Sequence, residues 1–265
     1  MAGGKKRLDV RVVEAGLAEN RTRARALIMA GRIRVDDRPA DKPGAPVDDG
    51  AVLSLAGETI PYVSRGGLKL EAALAAFDVP VAGAVCLDAG ASTGGFTDCL
   101  LRNGAARVYA VDVGYGQLAW SLRNDPRVTP MERTNVRYLA PDALPRPVDL
   151  ATIDTSFISL RIVVPAILPL LTPAASILAL IKPQFEVGKG QVGKGGVVRD
   201  PERHAAVIEA LTGFFEARGL RRRGLIPSPV LGPKGNREFV IWLTAGENPG
   251  SGGGQAAQIG DDPGF

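Results

Sequence analysis

The sequence predicts an α/β protein. A doubly wound sheet with helices on both faces runs from about Val85 to Leu243, and a small α+β unit precedes it. Three observations carry this. From Val85 onward short apolar runs alternate with helix-like segments, the pattern of a parallel sheet packed between helices. A glycine-rich turn, Gly90 to Gly95, follows the first of these runs and opens a helix, and an acid, Asp112, ends the next run. The stretch from about Lys5 to Leu55 instead shows two short helical periods, two short strands and a crowd of arginines.

In the first unit, Leu8, Val12 and Val13 recur at helical spacing, and Gly16 stops that helix. Asn20 is suited to cap a second helix, Arg21 to Ala30, which Gly31 ends. Arg32 to Val35 alternates polar and apolar residues like a half-buried strand. Asp36-Asp37-Arg38-Pro39 turns the chain, and Val52 to Leu55 makes a second strand. Arg7, Arg11, Arg21, Arg25, Arg32 and Arg34 crowd this unit. Arg21 and Arg25 share a helix face, and Arg32 and Arg34 share a strand face. Guanidinium groups on two adjacent elements suit bidentate contact with the phosphates of RNA or DNA.

Gly57 to Ser64 reads as a linker, so the first unit is expected over residues 5–56 and the second over 65–245. A helix over Gly67 to Phe77 carries Leu68, Leu70, Ala73, Leu74 and Phe77 on its apolar side and Lys69 on another. The strands follow at Val85 to Asp88, Val108 to Asp112, Asp149 to Asp154, Ser176 to Lys182, Leu225-Ile226 and Glu238 to Leu243. Asp200 caps a long helix with Pro201 at its first position, and Gly219 ends it. Ile162 to Ile181 has no charge and the length of a membrane span. Pro165, Pro169 and Pro173 interrupt it, so it reads as a short helix, a break at Pro173 and a buried strand. Residues 246–265 lack large apolar groups apart from Ile259 and Phe265 and read as a disordered tail.

Composition narrows the class further. The chain has 265 residues, ordinary charge content and a net charge of +4, the profile of a globular protein that permits a polyanionic partner without demanding one. Its two cysteines, Cys86 and Cys99, lie in apolar surroundings and form no CxxC pair. That speaks against a disulfide scaffold or a metal site and for a reducing, cytoplasmic setting. The positive start, Met1 to Arg7, has no apolar stretch after it and is not a secretory signal.

The chemistry centres on Leu87-Asp88-Ala89-Gly90-Ala91-Ser92-Thr93-Gly94-Gly95-Phe96. Glycines there let a ligand approach the backbone, and the helix start presents free N–H groups. Asp112 stands where an acid in such folds meets ribose hydroxyls. A dinucleotide fingerprint would be GxGxxG, but Ser92 occupies the second glycine position. The pattern suits a nucleoside without pyrophosphate, and S-adenosylmethionine is such a ligand. A second loop, Gly188 to Gly195, spells GxxxxGK, but Gly195 replaces the Ser or Thr that a phosphate loop needs. It reads as a mobile cover over the active site that could also touch RNA.

Two resemblances sharpen these expectations. Arg7 to Pro43, RLDVRVVEAGLAENRTRARALIMAGRIRVDDRPADKP, resembles the S4-like RNA-binding domain, which implies RNA contact through the six arginines named above. YVSRGGLKLEAAL (62–74), LDAGASTGGFTDCLL (87–101), DVGYGQLAWSLRNDPRV (112–128), DTSFISL (154–160), IKPQFEVGKGQVGKGGVVRDP (181–201) and GNREFVIWL (235–243) are similar to the TlyA family. These are ribosomal RNA 2′-O-methyltransferases that also bear the name hemolysin. The resemblance runs to about Leu243. Thr155 departs from it, since Leu is common there. It implies a Rossmann-like class I methyltransferase with a seven-stranded mixed sheet, S-adenosylmethionine as methyl donor, and cytidine in 16S and 23S rRNA of ribosomal subunits as substrate.

The family shares with FtsJ-like enzymes a Lys-Asp-Lys-Glu set, which falls here on Lys69, Asp154, Lys182 and Glu238. By resemblance Lys182 is the base that takes the proton of the 2′-hydroxyl. A lysine does this only when neutral, and burial or a nearby cation favours that form. Alignment of an already activated donor supplies roughly 7–11 kcal/mol. The donor site is expected at Asp88, Gly90, Ser92, Thr93, Gly94, Gly95, Phe96, Asp112, Asn135 and Asp154, with Asn135 near the adenine by resemblance. His204 reads as a solvated surface residue and Trp120 as core, while Tyr115 stays open between core and adenosine neighbour. Two other readings stand beside the enzyme: a membrane-active hemolysin, and a non-catalytic RNA-binding assembly factor.

Overall fold

A computed structural model describes residues 5–36, 38–55, 60–188, 192–193 and 195–245. The tail, residues 189–191 and 194 of the loop expected as a cover, and 57–59 of the expected linker therefore lie outside the described residues. Contacts divide the chain into two units, Met1–Ile60 and Pro61–Phe265.

In the first unit β1 (Lys5–Arg7) leads into α1 (Leu8–Glu14), followed by α2 (Arg21–Met29), β2 (Ile33–Val35), β3 (Arg38–Ala40), β4 (Pro46–Asp48) and β5 (Leu53–Leu55). The Asn20 side chain accepts a hydrogen bond from the Arg23 N–H at 2.9 Å, which satisfies one of the donors left over at the start of α2. β1 pairs with β4, and β2 lies between β3 and β5. Leu8, Val12, Ala24, Ile28, Ile33 and Val47 form the core. β1, β3 and β4 were not expected from sequence, because three-residue strands are too short to show an alternating period.

The second unit opens with α3 (Gly66–Ala76). β6 (Val85–Ala89), α4 (Gly95–Arg102), β7 (Arg107–Val111), α5 (Trp120–Arg123), β8 (Val128–Met131) and β9 (Val148–Ile153) follow. Then come α6 (Leu160–Ile167), β10 (Leu171–Ile181), α7 (Pro183–Glu186), α8 (Pro201–Glu216), β11 (Leu220–Pro227) and β12 (Phe239–Ala245). The seven strands form one mixed sheet in the order β11-β12-β10-β9-β6-β7-β8. β12 runs antiparallel to both β10 and β11, and the remaining pairs are parallel. Period-2 alternation sends Ile177, Ala179 and Ile181 of β10 to the face covered by α6 and α8. Leu178 and Leu180 go to the face covered by α3 and α4.

Three sequence expectations change here. Pro173 does not break the chain before β10 but lies inside it, at the exposed end where pairing with β9 shifts between Leu171 and Ser176. An irregular pairing needs no donor from a proline. His204 is buried, with Nε2 2.8 Å from the Val198 carbonyl oxygen and its ring edge-on to Phe239. It ties the start of α8 to the segment before it. Trp120 is 69% exposed, and Tyr115 is exposed too with Arg133 over its ring, so neither belongs to the core.

Candidate active site

Topology brings the charged set together. Asp154 follows the end of β9, and Lys182 follows the end of β10. Because β12 is antiparallel to β10, its start lies at the same end of the sheet, and Glu238 precedes it. Lys69 enters from α3. It is buried there beside Leu70 and one helical turn before Ala73, at the margin of the face that α3 turns to the core.

α3 can reach that place because its first turn packs closely on α4. A Cβ on Gly95 would stand 2.8 Å from the Gly67 nitrogen, and one on Gly67 would stand 2.5 Å from the Tyr62 Cβ. The segment before α3 is pinned by the Val63 N–H donating to Asp98 at 2.9 Å and the Tyr62 hydroxyl donating to Glu71 at 2.9 Å. Burial raises the Tyr62 phenol above its ordinary range, so it stays a donor.

The four residues form one chain of contacts. Lys182 Nζ lies 2.6 Å from Asp154 Oδ1 and donates to Ser156 Oγ at 3.0 Å. Lys69 Nζ lies 3.9 Å from Asp154 Oδ2 and donates to Glu238 Oε2 at 2.6 Å. Glu238 is fully buried, and its other oxygen, Oε1, has no hydrogen-bond partner. One carboxylate is thus shared by two ammonium groups, and the outer ammonium is anchored by a second, sunken carboxylate. Such an arrangement fixes Lys182 in one place and leaves few alternative rotamers for it.

Two cavities meet at this set. One of about 320 Å³ is lined by Arg65, Lys69, Gly90, Ser92, Thr93, Gly95, Phe96, Asp154, Ser156, Lys182 and Glu238. The other, of about 570 Å³, is lined by Gly90, Ser92, Asp112, Gln117, Asn135, Asp154, Thr155 and Phe157 among others. They share Gly90, Ser92, Asp154 and Ser156, so a ligand lying in the second presents one end to Lys182 in the first. Their sizes fall in the range of small-molecule sites. Gly90 has φ +89°, and a Cβ there would stand 2.8 Å from the Asp154 carbonyl oxygen. Only glycine lets the loop and the end of β9 approach so closely. Asp112 holds the loop from the other side, accepting from the Ser92 N–H at 2.8 Å and the Gly114 N–H at 2.7 Å. Asn135 lines the second cavity while its side chain accepts from the Arg137 N–H at 3.1 Å. An acid toward one side, an amide-bearing wall and, among the described residues that line the larger cavity, a single cation, Arg137, suit a nucleoside without a pyrophosphate, which is the fit S-adenosylmethionine requires.

Two of the expected donor-site residues are not at the cavities. Asp88 is fully buried behind the loop, accepting from Thr97 Oγ1 at 2.7 Å and Thr152 Oγ1 at 3.1 Å. Burial pushes its carboxyl up to about 6 against the pull of those hydroxyls. It fastens β6 to α4 and β9. Gly94 turns inward with φ +100°, where a Cβ would meet Leu118 and Leu122. Its role is the bend into α4. Both stand in the motif, but consecutive residues of a strand and turn point to opposite sides.

In the first unit the arginines divide as well. Arg7 and Arg21 both hold the buried carboxylate of Asp9, each at 3.0 Å, with more than half of each side chain exposed. Arg7 first and then Arg21 draw the Asp9 carboxyl down to about 2. Arg25 and Arg34 are exposed and Arg32 is half-buried. Arg11 is corrected: it donates to the Asp49 carbonyl oxygen at 2.8 Å and pairs with Glu14 and Asp49. With its side chain only 16% exposed it serves the fold of this unit.

Sequence reasoning missed three residues at the site. Ser156 holds Lys182, and the signal for it was a polar residue just past a strand-end acid. Thr155 lines the larger cavity with a buried hydroxyl that has no partner. Phe157 is 91% exposed, has φ +62° and packs its ring 5.0 Å from that of Phe185. Nothing in a sequence separates such an aromatic from a core one.

Comparison with known proteins agrees with this fold. A family model described as FtsJ-like methyltransferase matches residues 62–245, and an S4 domain matches residues 6–53. The 16S/23S rRNA (cytidine-2′-O)-methyltransferase TlyA of Mycobacterium tuberculosis is 52% identical over 238 residues, 89% of either chain. Hemolysin A of Brachyspira hyodysenteriae is 37% identical over 88% of this chain and 98% of its own. The solved structure of a hemolysin-named protein from Streptococcus thermophilus shares 46% identity over 94% of this chain and 91% of its own, with a TM-score of 0.73. No helix among the described residues is long and apolar enough to cross a membrane.

Proposed function

The chain belongs to the FtsJ-like methyltransferases, and from that premise we propose that it methylates the ribose 2′-hydroxyl of cytidine in the 16S and 23S rRNA of ribosomal subunits. The observation that carries the proposal is the Lys182–Asp154–Lys69–Glu238 chain standing where the two cavities meet. S-adenosylmethionine, when bound, supplies an electrophilic methyl group.

The residues of this chain do the rest. Gly90, Ser92, Asp112, Thr155 and Asn135 line the larger cavity and hold the donor's nucleoside. The smaller cavity, with Lys182, Ser156 and Arg65 on its wall, receives the ribose. A 2′-hydroxyl is a weak nucleophile until it sheds its proton, and Lys182 Nζ is the acceptor. It accepts through its lone pair, so the reactive site carries one proton fewer on Lys182. Asp154 and Ser156 fix the direction of that lone pair, and Lys69 with Glu238 fixes Asp154. The S4 domain, with Arg7, Arg21, Arg25, Arg32 and Arg34, grips the RNA backbone. Incubation with labelled methyl donor and each ribosomal subunit, then mapping of alkali-resistant linkages, tests the reading. The wild type is expected to modify cytidine riboses, and Lys182→Ala to lose at least about 100-fold in rate. Full transfer by Lys182→Ala would overturn the mechanism.

A further inference from the structure

Within the catalytic unit some arginines are neutralised by acids. Arg102, Arg123, Arg127 and Arg146 each pair with an Asp or Glu. The edge of the sheet departs from this. Strand β11 is outermost, joined only to β12, and begins Leu220-Arg221-Arg222-Arg223, with Arg218 just before it. All four residues are exposed. Their partners are neutral. Arg222 donates to Thr212 Oγ1 at 3.3 Å and Arg223 to Thr244 Oγ1 at 3.0 Å. Arg218 donates to the Phe214 carbonyl oxygen at 3.1 Å and lies 3.6 Å over the Phe214 ring. Arg161 on α6 lies over the same ring at 5.2 Å.

Neutral anchors hold a guanidinium in place without cancelling its charge, and each leaves several N–H donors unused. Pairing with β12 also shifts between Arg222 and Gly224, which leaves Arg223 without an opposite residue. A bulge of this kind bends the edge and re-aims its side chains. The register gives the distance from the reaction centre. Arg222 faces Leu243, Leu243 faces Ile177 and Ile177 faces Ala151, three residues before Asp154. Three interstrand steps and three residues along β9 come to roughly 17 Å, a span that a single RNA helix covers.

We propose that this edge, Arg218 and Arg221 to Arg223 with Arg161 beside them, is a second RNA contact of the protein, binding phosphates of the substrate strand. The proposal rests on the RNA reading above. Arg218 and Arg221 to Arg223, exposed and without a carboxylate partner among the described residues, suit phosphate oxygens, which they take bidentately, while the half-buried Arg161 adds its charge beside them.

The test is the triple variant Arg221→Gln/Arg222→Gln/Arg223→Gln in the full chain. Binding to a ribosomal RNA transcript and to each subunit is measured against salt concentration, alongside donor affinity and methyl transfer. Each lost phosphate contact removes about 0.7–0.9 from the slope of log affinity against log salt. The slope is expected to fall by about 2, with RNA affinity tenfold or more weaker. Donor affinity and the rate at saturating RNA are expected to match the wild type. Unchanged slope and RNA affinity would overturn the proposal. So would a variant that self-associates while binding RNA normally, since the arginines would then only guard an open strand edge. Loss of binding to phosphatidylglycerol vesicles with RNA binding intact would equally overturn it. If the wild type methylates no ribosomal RNA, the functional reading fails, while the salt slope on the transcript still decides this contact.

Discussion

The Lys69–Glu238 pair offers a prediction with a built-in asymmetry. Lys69→Met strands the Glu238 carboxylate, which is fully buried, loses its partner at 2.6 Å and has an Oε1 that already lacks a donor. That variant should sit at the upper end of the range for breaking a buried pair, about 5 kcal/mol. Glu238→Gln leaves Lys69 with a second carboxylate, Asp154, at 3.9 Å, so it should sit near the lower end, about 3 kcal/mol. The double variant has no stranded charge and retains only one poorly satisfied buried amide, worth about 1–3 kcal/mol. Its cost should therefore be well below the sum of the singles, with a coupling of at least about 3 kcal/mol. Urea unfolding followed by tryptophan fluorescence reads this directly, because both tryptophans, Trp120 and Trp242, lie in the catalytic unit. The singles should lower the melting temperature by roughly 6–20 °C at about 2–4 °C per kcal/mol. Methyl transfer should stay lost in the double even where stability returns. Strict additivity, or Lys69→Met within about 1 kcal/mol of the wild type, would refute the claim that the pair is a buried, mutually dependent unit.

Three further outcomes follow from single residues. Gly90→Ala places a Cβ 2.8 Å from the Asp154 carbonyl oxygen at a positive φ; calorimetric titration should show donor affinity at least about tenfold weaker through backbone strain alone. Thr155→Val removes a buried hydroxyl that faces the larger cavity without a partner. Donor KM should rise about 2- to 10-fold, the worth of one neutral hydrogen bond, with kcat unchanged and Thr155→Ser close to wild type. Asp9 is held down to about 2 in the folded chain by Arg7 and Arg21. A lowered folded value contributes stability that is complete above the ordinary carboxylate range, near 4, and is lost as pH falls toward 2. Amide exchange in the first unit should be faster in Asp9→Asn than in the wild type at neutral pH, and the two should converge near pH 2.

The sequence by itself determined the doubly wound sheet, the glycine loop and the small arginine-rich unit. Periodicity reports which stripe of an element is buried, and Asn20 and Asp200 mark helix starts through their own side chains. Resemblance supplied the four charged residues, but their geometry was not legible. Lys69 and Glu238 are 169 positions apart, and only the reversed direction of β12 brings them within 2.6 Å. Tertiary structure also moved Asp88 and Gly94 behind the loop, turned Arg11 to the service of its own unit, buried His204 and exposed Trp120. The physical reason is common to all of these. A residue's type and spacing fix which face of its own element it occupies, whereas what covers that face depends on where the rest of the chain is packed.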